Sequence, residues 1–156
     1  MTQEEKQLLL IDLCARLPYG VICEVNHKEF GRHKTETMTL SAVSKYEYFF
    51  MNDKGSAYSN DFKPYLRPMS SMTEEEKNEL CELCEFYEPY NDRDDYSHYG
   101  IEIISEFCVT DEKIPENTIN YNVIDWLLSH HFDYRRLIEK GLALEAPEGM
   151  YKVKKI

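Results

Sequence analysis

Long hydrophobic runs and glycine-rich loops are both missing from this sequence. The apolar run Leu8–Ile11 ends at Asp12, and the six glycines stand singly. A membrane-spanning helix needs about 20 apolar residues, a secretory signal needs a basic segment before its apolar one, and a phosphate-binding loop needs clustered glycines. We therefore expect no membrane span, no secretory signal and no phosphate loop, and we predict a cytoplasmic protein.

Cysteine is present, but in an odd number. The chain has five cysteines, and an odd count without a secretory signal is typical of reduced thiols in a reducing compartment. We expect no disulfide bond.

Positive charge is scarce, and the negative charge is concentrated in one part of the chain. Eighteen basic residues stand against 29 acidic ones, which gives a net charge of −11. Residues 1–72 hold nine acids and nine bases, whereas residues 73–116 hold fifteen acids and three bases. Such a chain is repelled by nucleic acids and anionic lipids. Direct nucleic-acid binding and membrane binding are disfavoured, and a protein partner with a basic surface is favoured.

The first part of the chain predicts one helix followed by a small antiparallel sheet. Thr2 and Glu5 form a capping box, and leucines recur at helical spacing until Pro18, which places a helix over 3–17. From residue 20 to residue 67 apolar residues alternate with polar ones, and turns are expected at 26–28 and 52–55. This pattern predicts four or five short strands in an SH3-like sheet or barrel.

The second part of the chain predicts mainly helices. Thr73 and Glu76 form another capping box before a helix over 73–87, and helical spacing returns over 118–131. Asp133 and Gly141 have the residue types that begin and end a further short helix. Residues 101–109 fit a strand or a helix, with a strand favoured. The predicted fold class is α+β, with parts at 1–72 and 73–156 packed as one unit.

Three stretches carry a resemblance to a family. They are LCARLPYGVICEV (13–25), KPYLRPMSSMTEEEK (63–77) and IDWLLSHHFDYRRLIEKGLALEAPEGMYK (124–152). These stretches resemble a group of uncharacterised proteins from phages and mobile elements of gut anaerobes. The resemblance implies an accessory gene product and brings no activity, cofactor or catalytic residue with it. Arg136 stands where that group is associated with glycine, which matters if the backbone there needs a glycine conformation.

One set of residues has metal-ligating side chains: Cys81, Cys84, His98 and Cys108. The first two have the spacing of a zinc or redox pair, which the other two would complete only at irregular spacing. The pair falls inside a predicted helix among glutamates, whose charge disfavours thiolates. We interpret these cysteines as helix-packing residues and expect no metal and no cofactor.

The densest mixture of chemically active side chains is the run from Ser129 to Pro147. Within it, His130, His131 and Asp133 are the candidates for catalysis. Adjacent helical residues point about 100° apart, so two neighbouring histidines do not easily hold one ion. The end of a helix also favours partly protonated imidazoles. We predict a structural role and keep the catalytic one as an alternative.

The candidate binding residues are acidic: Glu75, Glu79, Glu82, Glu85, Asp92, Asp94 and Asp95. Three functions follow from the sequence. The favoured one is a non-enzymatic module that docks a protein partner through its sheet or its acidic helix, since the chain has twelve tyrosines suited to contact surfaces. The alternatives are an acidic inhibitor that mimics nucleic acid, and an enzyme built on the histidines at 130 and 131.

Overall fold

The computed structural model describes residues 1–83 and 121–152, without the side chains of Cys81 and Glu82. The described residues form two compact units. The first unit contains residues 1–66 and 137–152, and the second contains residues 67–83 and 121–136.

The first unit begins with helix α1, Gln3–Arg16. The predicted capping box is formed, because the Glu5 amide donates to Thr2 Oγ1 over 3.1 Å and the Thr2 amide donates to Glu5 Oε2 over 2.8 Å. A 3₁₀ turn over Leu17–Tyr19 follows, and Gly20 takes a left-handed conformation with φ of 71°. The helix predicted over 3–17 is confirmed.

The strands of the described residues form one mixed, open sheet. They are β1 (Ile22–Glu29), β2 (Arg32–Val43), β3 (Tyr48–Asn52), β4 (Gly55–Ser59), β5 (Asp61–Leu66) and β6 (Leu144–Glu145). Their order is β4-β3-β2-β1-β5-β6, and β6 pairs with β5 in parallel while the other pairs are antiparallel. The α+β class is confirmed, and the SH3-like barrel stays a prediction.

The first hairpin turn lies further along the chain than predicted. Residues 26–28 remain in β1 and pair with residues 33–35 of β2, so the turn predicted there is wrong. The chain reverses instead at Phe30 and Gly31, which have φ of 50° and 77°. Two consecutive positive φ angles match the right-handed twist of a two-residue hairpin. The turn predicted at 52–55 is confirmed, with Asn52 paired to Gly55.

The core of the first unit lies between α1 and the inner face of the sheet. Its buried residues are Leu9, Leu13, Val21, Cys23, Val25, Met38, Leu40, Phe50, Phe62, Leu66, Leu137, Leu142 and Ala143. The helix also buries an ion pair, in which Arg16 Nε lies 2.7 Å from Asp12 Oδ2 and neither side chain is exposed. Tyr151 Oη accepts from the Ile22 amide over 2.9 Å and donates to the Tyr65 carbonyl over 2.8 Å. These contacts fix α1 and the C-terminal segment to the sheet.

The second unit contains α2 (Glu74–Leu83) and α3 (Tyr121–Ser129). The capping box of α2 is formed as predicted, since Glu76 donates its amide to Thr73 Oγ1 and accepts from the Thr73 amide. The cluster of buried residues between the helices is Met72, Leu80, Val123, Leu127 and Phe132.

Residues 133–141 form turns, so the short helix predicted there is wrong. Arg136 interrupts helical geometry with a φ of 62°. This is the left-handed conformation that glycine adopts most easily. Gly141 ends the next turn with φ of 74°, where the Leu142 amide donates to the Leu137 carbonyl over 2.9 Å.

Within residues 1–83 and 121–152, no helix combines the length and the hydropathy needed to cross a membrane.

Candidate functional site: a polar cleft in the first unit

The inner face of the sheet changes from apolar to polar along β1 and β2. Val25 and His27 are two residues apart on β1, and their antiparallel partners are Glu36 and Lys34. Paired residues and residues two apart share one face of a sheet. The face that carries the core at one end therefore carries a histidine, a glutamate and a lysine at the other.

These polar side chains form a continuous chain of contacts. His27 Nε2 lies 2.7 Å from Glu36 Oε2, and Lys34 Nζ lies 3.0 Å from Glu36 Oε1. The same ammonium group lies 2.9 Å from Glu29 Oε2. The side chains of His27 and Glu36 are largely buried, whereas those of Lys34 and Glu29 are nearly half exposed. The chain of contacts runs from the interior to solvent.

The contacts fix the charges of two groups. Hydrogen bonds from Lys34 and from His27 hold the pKa of Glu36 below its ordinary value. Hydrogen bonds to Glu29 and Glu36 raise the pKa of Lys34. A nucleophilic lysine needs a lowered pKa, and a glutamate that acts as a general base near neutral pH needs a raised one. The arrangement suits recognition of a ligand better than proton transfer.

A cleft of about 160 Å³ opens onto these groups. It is lined by His27, Lys28, Glu29, Lys34, Glu36, Met38, Asn52, Lys54, Gly55, Ser56, Ala57 and Tyr58. Three lysines thus stand against two glutamates around one small opening. This is a local excess of positive charge in a chain whose net charge is −11.

One wall of the cleft is the open edge of β4. This strand ends the strand order, so its second edge has no strand partner among the described residues. Asn52 pairs with Gly55 across a two-residue turn, and in such a hairpin every second residue bonds to the neighbouring strand. The backbone N–H and C=O groups of Ser56 and Tyr58 therefore point away from β3. The cleft borders all of Gly55–Tyr58, so it runs along this edge.

The open edge ends at a cross-connection. Ser59 Oγ donates to the Asn26 carbonyl over 2.5 Å, which ties the end of β4 to β1. The residues before it, Gly55–Tyr58, border the opening. At about 3.4 Å per residue this stretch spans roughly 13 Å, the length of four residues of an added strand.

The outer face beside this edge is apolar and aromatic. The rings of Phe49 and Tyr58 lie 4.7 Å apart, centre to centre, and Tyr58 is 63% exposed. Met51 lies on the same face, paired with Ser56, and is 48% exposed. Exposed aromatic and methionine side chains are enriched in protein interfaces. The edge of β4 therefore separates an apolar outer face from a charged inner cleft.

The histidines emphasised by the sequence lie in the second unit. The His130 ring stacks on Trp126 at 4.1 Å between ring centres, and its Nδ1 lies 2.9 Å from the Trp126 carbonyl oxygen. His131 and Asp133 are buried. Their backbones are bonded to Arg67, whose amide donates to the His131 carbonyl and whose carbonyl accepts from the Asp133 amide, both over 2.8 Å. All three candidates take part in packing or backbone pairing.

His131 also ends helix α3. Its φ is 61°, its amide donates to the Leu128 carbonyl, and the Phe132 amide donates to the Leu127 carbonyl, each over 3.0 Å. This pair of bonds is the helix-ending arrangement in which the left-handed position is usually glycine. His131 therefore ends the helix, while its predicted structural role and the enzyme alternative stay hypotheses.

An arginine connects the parts of the second unit. Arg67 Nη1 and Nη2 each lie 2.8 Å from a carboxylate oxygen of Glu76, and the guanidinium group lies over the Phe132 ring at 4.2 Å. Such two-point contacts fix geometry as well as charge. The guanidinium therefore holds the start of α2 against the segment that follows α3.

The predicted acidic binding residues are only partly described. Glu75 and Glu79 are exposed on α2, and Glu79 Oε2 accepts from Trp126 Nε1 over 3.1 Å. The side chains of Glu82 and Cys81 lie outside the described residues. The same holds for these whole residues: Cys84, Glu85, Asp92, Asp94, Asp95, His98, Cys108 and the ambiguous segment 101–109. The acidic surface and the interpretation of the cysteines stay predictions.

The cleft was missed because its residues are unremarkable along the chain. The turn predicted at 26–28 includes His27, and the residues that line the cleft are separated by up to 31 positions. One signal was available, since the alternation that places Val25 inward continues to His27. Following that alternation across the paired strands would have brought the histidine opposite Lys34.

Comparison of the chain with protein-family models, with curated proteins and with solved structures finds no match. Arguments about function therefore depend on the site itself.

Proposed function

We propose that this chain is a non-enzymatic protein-interaction module, an accessory protein of a phage or mobile element as the resemblance implies. Its docking surface is the open edge of β4, and its ligand is an extended segment of a partner protein that pairs with β4 as an added strand. The observation that carries the proposal is the position of Ser56 and Tyr58, whose backbone groups face a cleft and have no strand partner among the described residues.

Backbone pairing at an open strand edge is a recurrent mode of peptide recognition, in which main-chain hydrogen bonds give affinity and alternate side chains give specificity. Here the two faces of the added strand meet different surroundings. Side chains on one face meet Tyr58 and Met51, and those on the other enter the cleft beside His27 and Glu36. A ligand that alternates apolar and polar residues fits both faces.

The charge states in the cleft support recognition over catalysis. The ammonium group of Lys34 and the carboxylate of Glu36 are each stabilised by the other. Groups held in their charged forms serve as fixed electrostatic contacts for a ligand.

Hydrogen exchange measured by NMR tests the edge in the protein alone. The amide of Ala57 bonds to β3 and should exchange slowly, whereas the amides of Ser56 and Tyr58 should exchange faster. The proposal is contradicted if the amides of Ser56 and Tyr58 are as protected as that of Ala57, because the edge would then already be covered.

A binding test uses heptapeptides of alternating apolar and polar residues, selected from a displayed library on the purified protein. The selected peptides should slow exchange at Ser56 and Tyr58 and should bind a Ser56→Pro variant about tenfold less tightly, because proline lacks the edge N–H. Proline is tolerated at a strand edge whose N–H faces outward. The matched control, Ser56→Ala, removes the hydroxyl and keeps the N–H, so it should bind as the parent does. Equal binding by all three proteins would overturn the proposal.

A further inference from the structure

We infer that the segment that pairs with β4 carries an acidic side chain, which enters the cleft and is bound at the rim formed by Lys34 and Lys54. The inference rests on the proposed function and specifies the chemistry of its ligand. It starts from the charges that surround the opening.

The two carboxylates of the cleft already have cationic or hydrogen-bonding partners. Glu36 contacts both His27 and Lys34, and Glu29 contacts Lys34. A cationic side chain from the ligand would compete with these contacts and would add to the positive charge of the rim. The cleft is therefore poorly suited to a lysine or arginine of the ligand.

The lysines, in contrast, have unused capacity to donate hydrogen bonds. An ammonium group has three N–H donors, and Lys34 uses two of them on Glu29 and Glu36 while its side chain remains 44% exposed. Within residues 1–83 and 121–152, Lys54 has no ion-pair partner within 4.0 Å. A carboxylate of the ligand would accept from donors that are otherwise left to water, and hydrogen bonds between charged groups are the stronger ones.

The position of the rim along β4 is consistent with binding of a carboxylate from the ligand. Lys54 lies in the turn directly before β4, and Lys34 lies on the inner face opposite His27. A strand added beside Ser56 and Tyr58 places every second side chain on that inner face. The acidic residue is expected at one of these inward positions, within reach of Lys34 and Lys54, with apolar residues at the alternate positions beside Tyr58.

The experiment uses three synthetic peptides, Val-Thr-Val-X-Val-Thr-Val, with glutamate, glutamine or lysine at X, so that X and the valines lie on opposite faces of the added strand. Binding to the full chain is measured by the fluorescence of a dye attached to each peptide. Hydrogen exchange at the amides of Ser56 and Tyr58 reports whether the peptide pairs with β4. The glutamate peptide should bind about tenfold more tightly than the lysine peptide. Raising the salt concentration should reduce this preference because it screens the exposed rim.

Variants test whether the preference for the glutamate peptide over the lysine peptide arises at the rim. Lys54→Gln should reduce the ratio of glutamate to lysine binding several-fold, whereas Lys6→Gln on α1 removes the same charge from an exposed position outside the cleft and should leave it unchanged. Protection of Ser56 and Tyr58 with equal binding of all three peptides would overturn the inference and leave the proposed function standing. Binding without protection of these amides would overturn the proposed function.

Discussion

The two units use the same kinds of polar side chain in opposite ways. In the first unit His27, Glu36 and Lys34 line an opening to solvent, whereas in the second unit His130 is stacked on Trp126 and Arg67 is bonded to Glu76. The second unit contains the denser run of chemically active residue types, whereas the first unit contains the side chains that face an opening to solvent. A dense run of reactive residue types is therefore a poor guide to function until their partners are known.

The two units also differ in how far their ion pairs are buried. The first unit encloses Asp12 and Arg16 completely, whereas in the second unit 16% of the Arg67 side chain and 8% of the Glu76 side chain remain exposed. Removing one member of an enclosed pair takes an opposite charge away from a group that is shielded from water. The first unit should therefore be the more sensitive to loss of its ion pair.

The largest effect is expected from Asp12→Ala. This change removes a carboxylate that lies 2.7 Å from the buried Arg16 guanidinium and should lower the free energy of unfolding by about 3–5 kcal/mol. Urea denaturation measures it. Glu4→Ala, at an exposed position of the same helix, should stay within about 0.5 kcal/mol of the parent. A loss below about 1 kcal/mol for Asp12→Ala would contradict the prediction.

A smaller effect is expected from Glu76→Gln in the second unit, about 2–3 kcal/mol, because the paired charge of Arg67 stays partly exposed. Burial by itself raises the pKa of Glu76, but hydrogen bonds from Arg67 and from the Thr73 amide hold it below its ordinary value. A lowered pKa in the folded state means that this contribution is complete above the unfolded value of about 4.3. It is lost as the pH falls through the folded value.

Denaturation of the parent and of Glu76→Gln from pH 7 down to pH 3 checks the direction of this pH dependence of stability. The difference in stability between the two proteins should shrink as the solution becomes more acidic. A difference that grows toward low pH would show that Glu76 is not stabilised as a carboxylate.

A gain of about 1 kcal/mol is expected from Phe30→Asn. Phe30 is 98% exposed and has a φ of 50°, so its ring contributes no packing while its backbone adopts a conformation that is unfavourable for most L-residues. Asn-Gly is the preferred pair for this hairpin turn. Thermal unfolding should show a higher Tm for Phe30→Asn and none of this gain for Phe30→Ala, and equal gains in both variants would refute the argument from φ.

The smallest effect on stability is expected in the acidic segment that the sequence predicts as a binding surface. Changing Glu75 and Glu82 together to lysine spares the contact between Glu79 and Trp126, and the change at the exposed Glu75 should alter stability by at most about 0.5 kcal/mol. Binding of a lysine-rich peptide in roughly 150 mM salt should be lost. The charge-matched control changes Glu4 and Glu47, both exposed in the first unit; equal binding by the two variants would show that net charge alone is responsible.

Local features were predictable because each depends on residues close together in the chain. Both capping boxes, at Thr2 and at Thr73, need only a side chain and an amide three positions away. The turn at 52–55 and the alternation of Val21, Cys23 and Val25 are equally local. In contrast, the first hairpin turn was misplaced because polar residues continue the strand at 26–28, where burial no longer marks the alternation.

The sequence by itself determined the α1 helix, the start of α2, the α+β class and the uneven charge, since these follow from neighbouring residues and composition. Only the tertiary structure decided the cleft, the parallel pairing of β6 with β5, the burial of Arg16 and the hydrogen bond from Tyr151 to the Tyr65 carbonyl. The cleft and the strand pairing depend on strand register, which brings residues far apart in the chain onto one face, and the contacts of Arg16 and Tyr151 depend on the packing of α1 and the C-terminal segment. A shift of one residue would send His27 and Glu36 to the opposite face, and no short segment of the chain specifies that pairing.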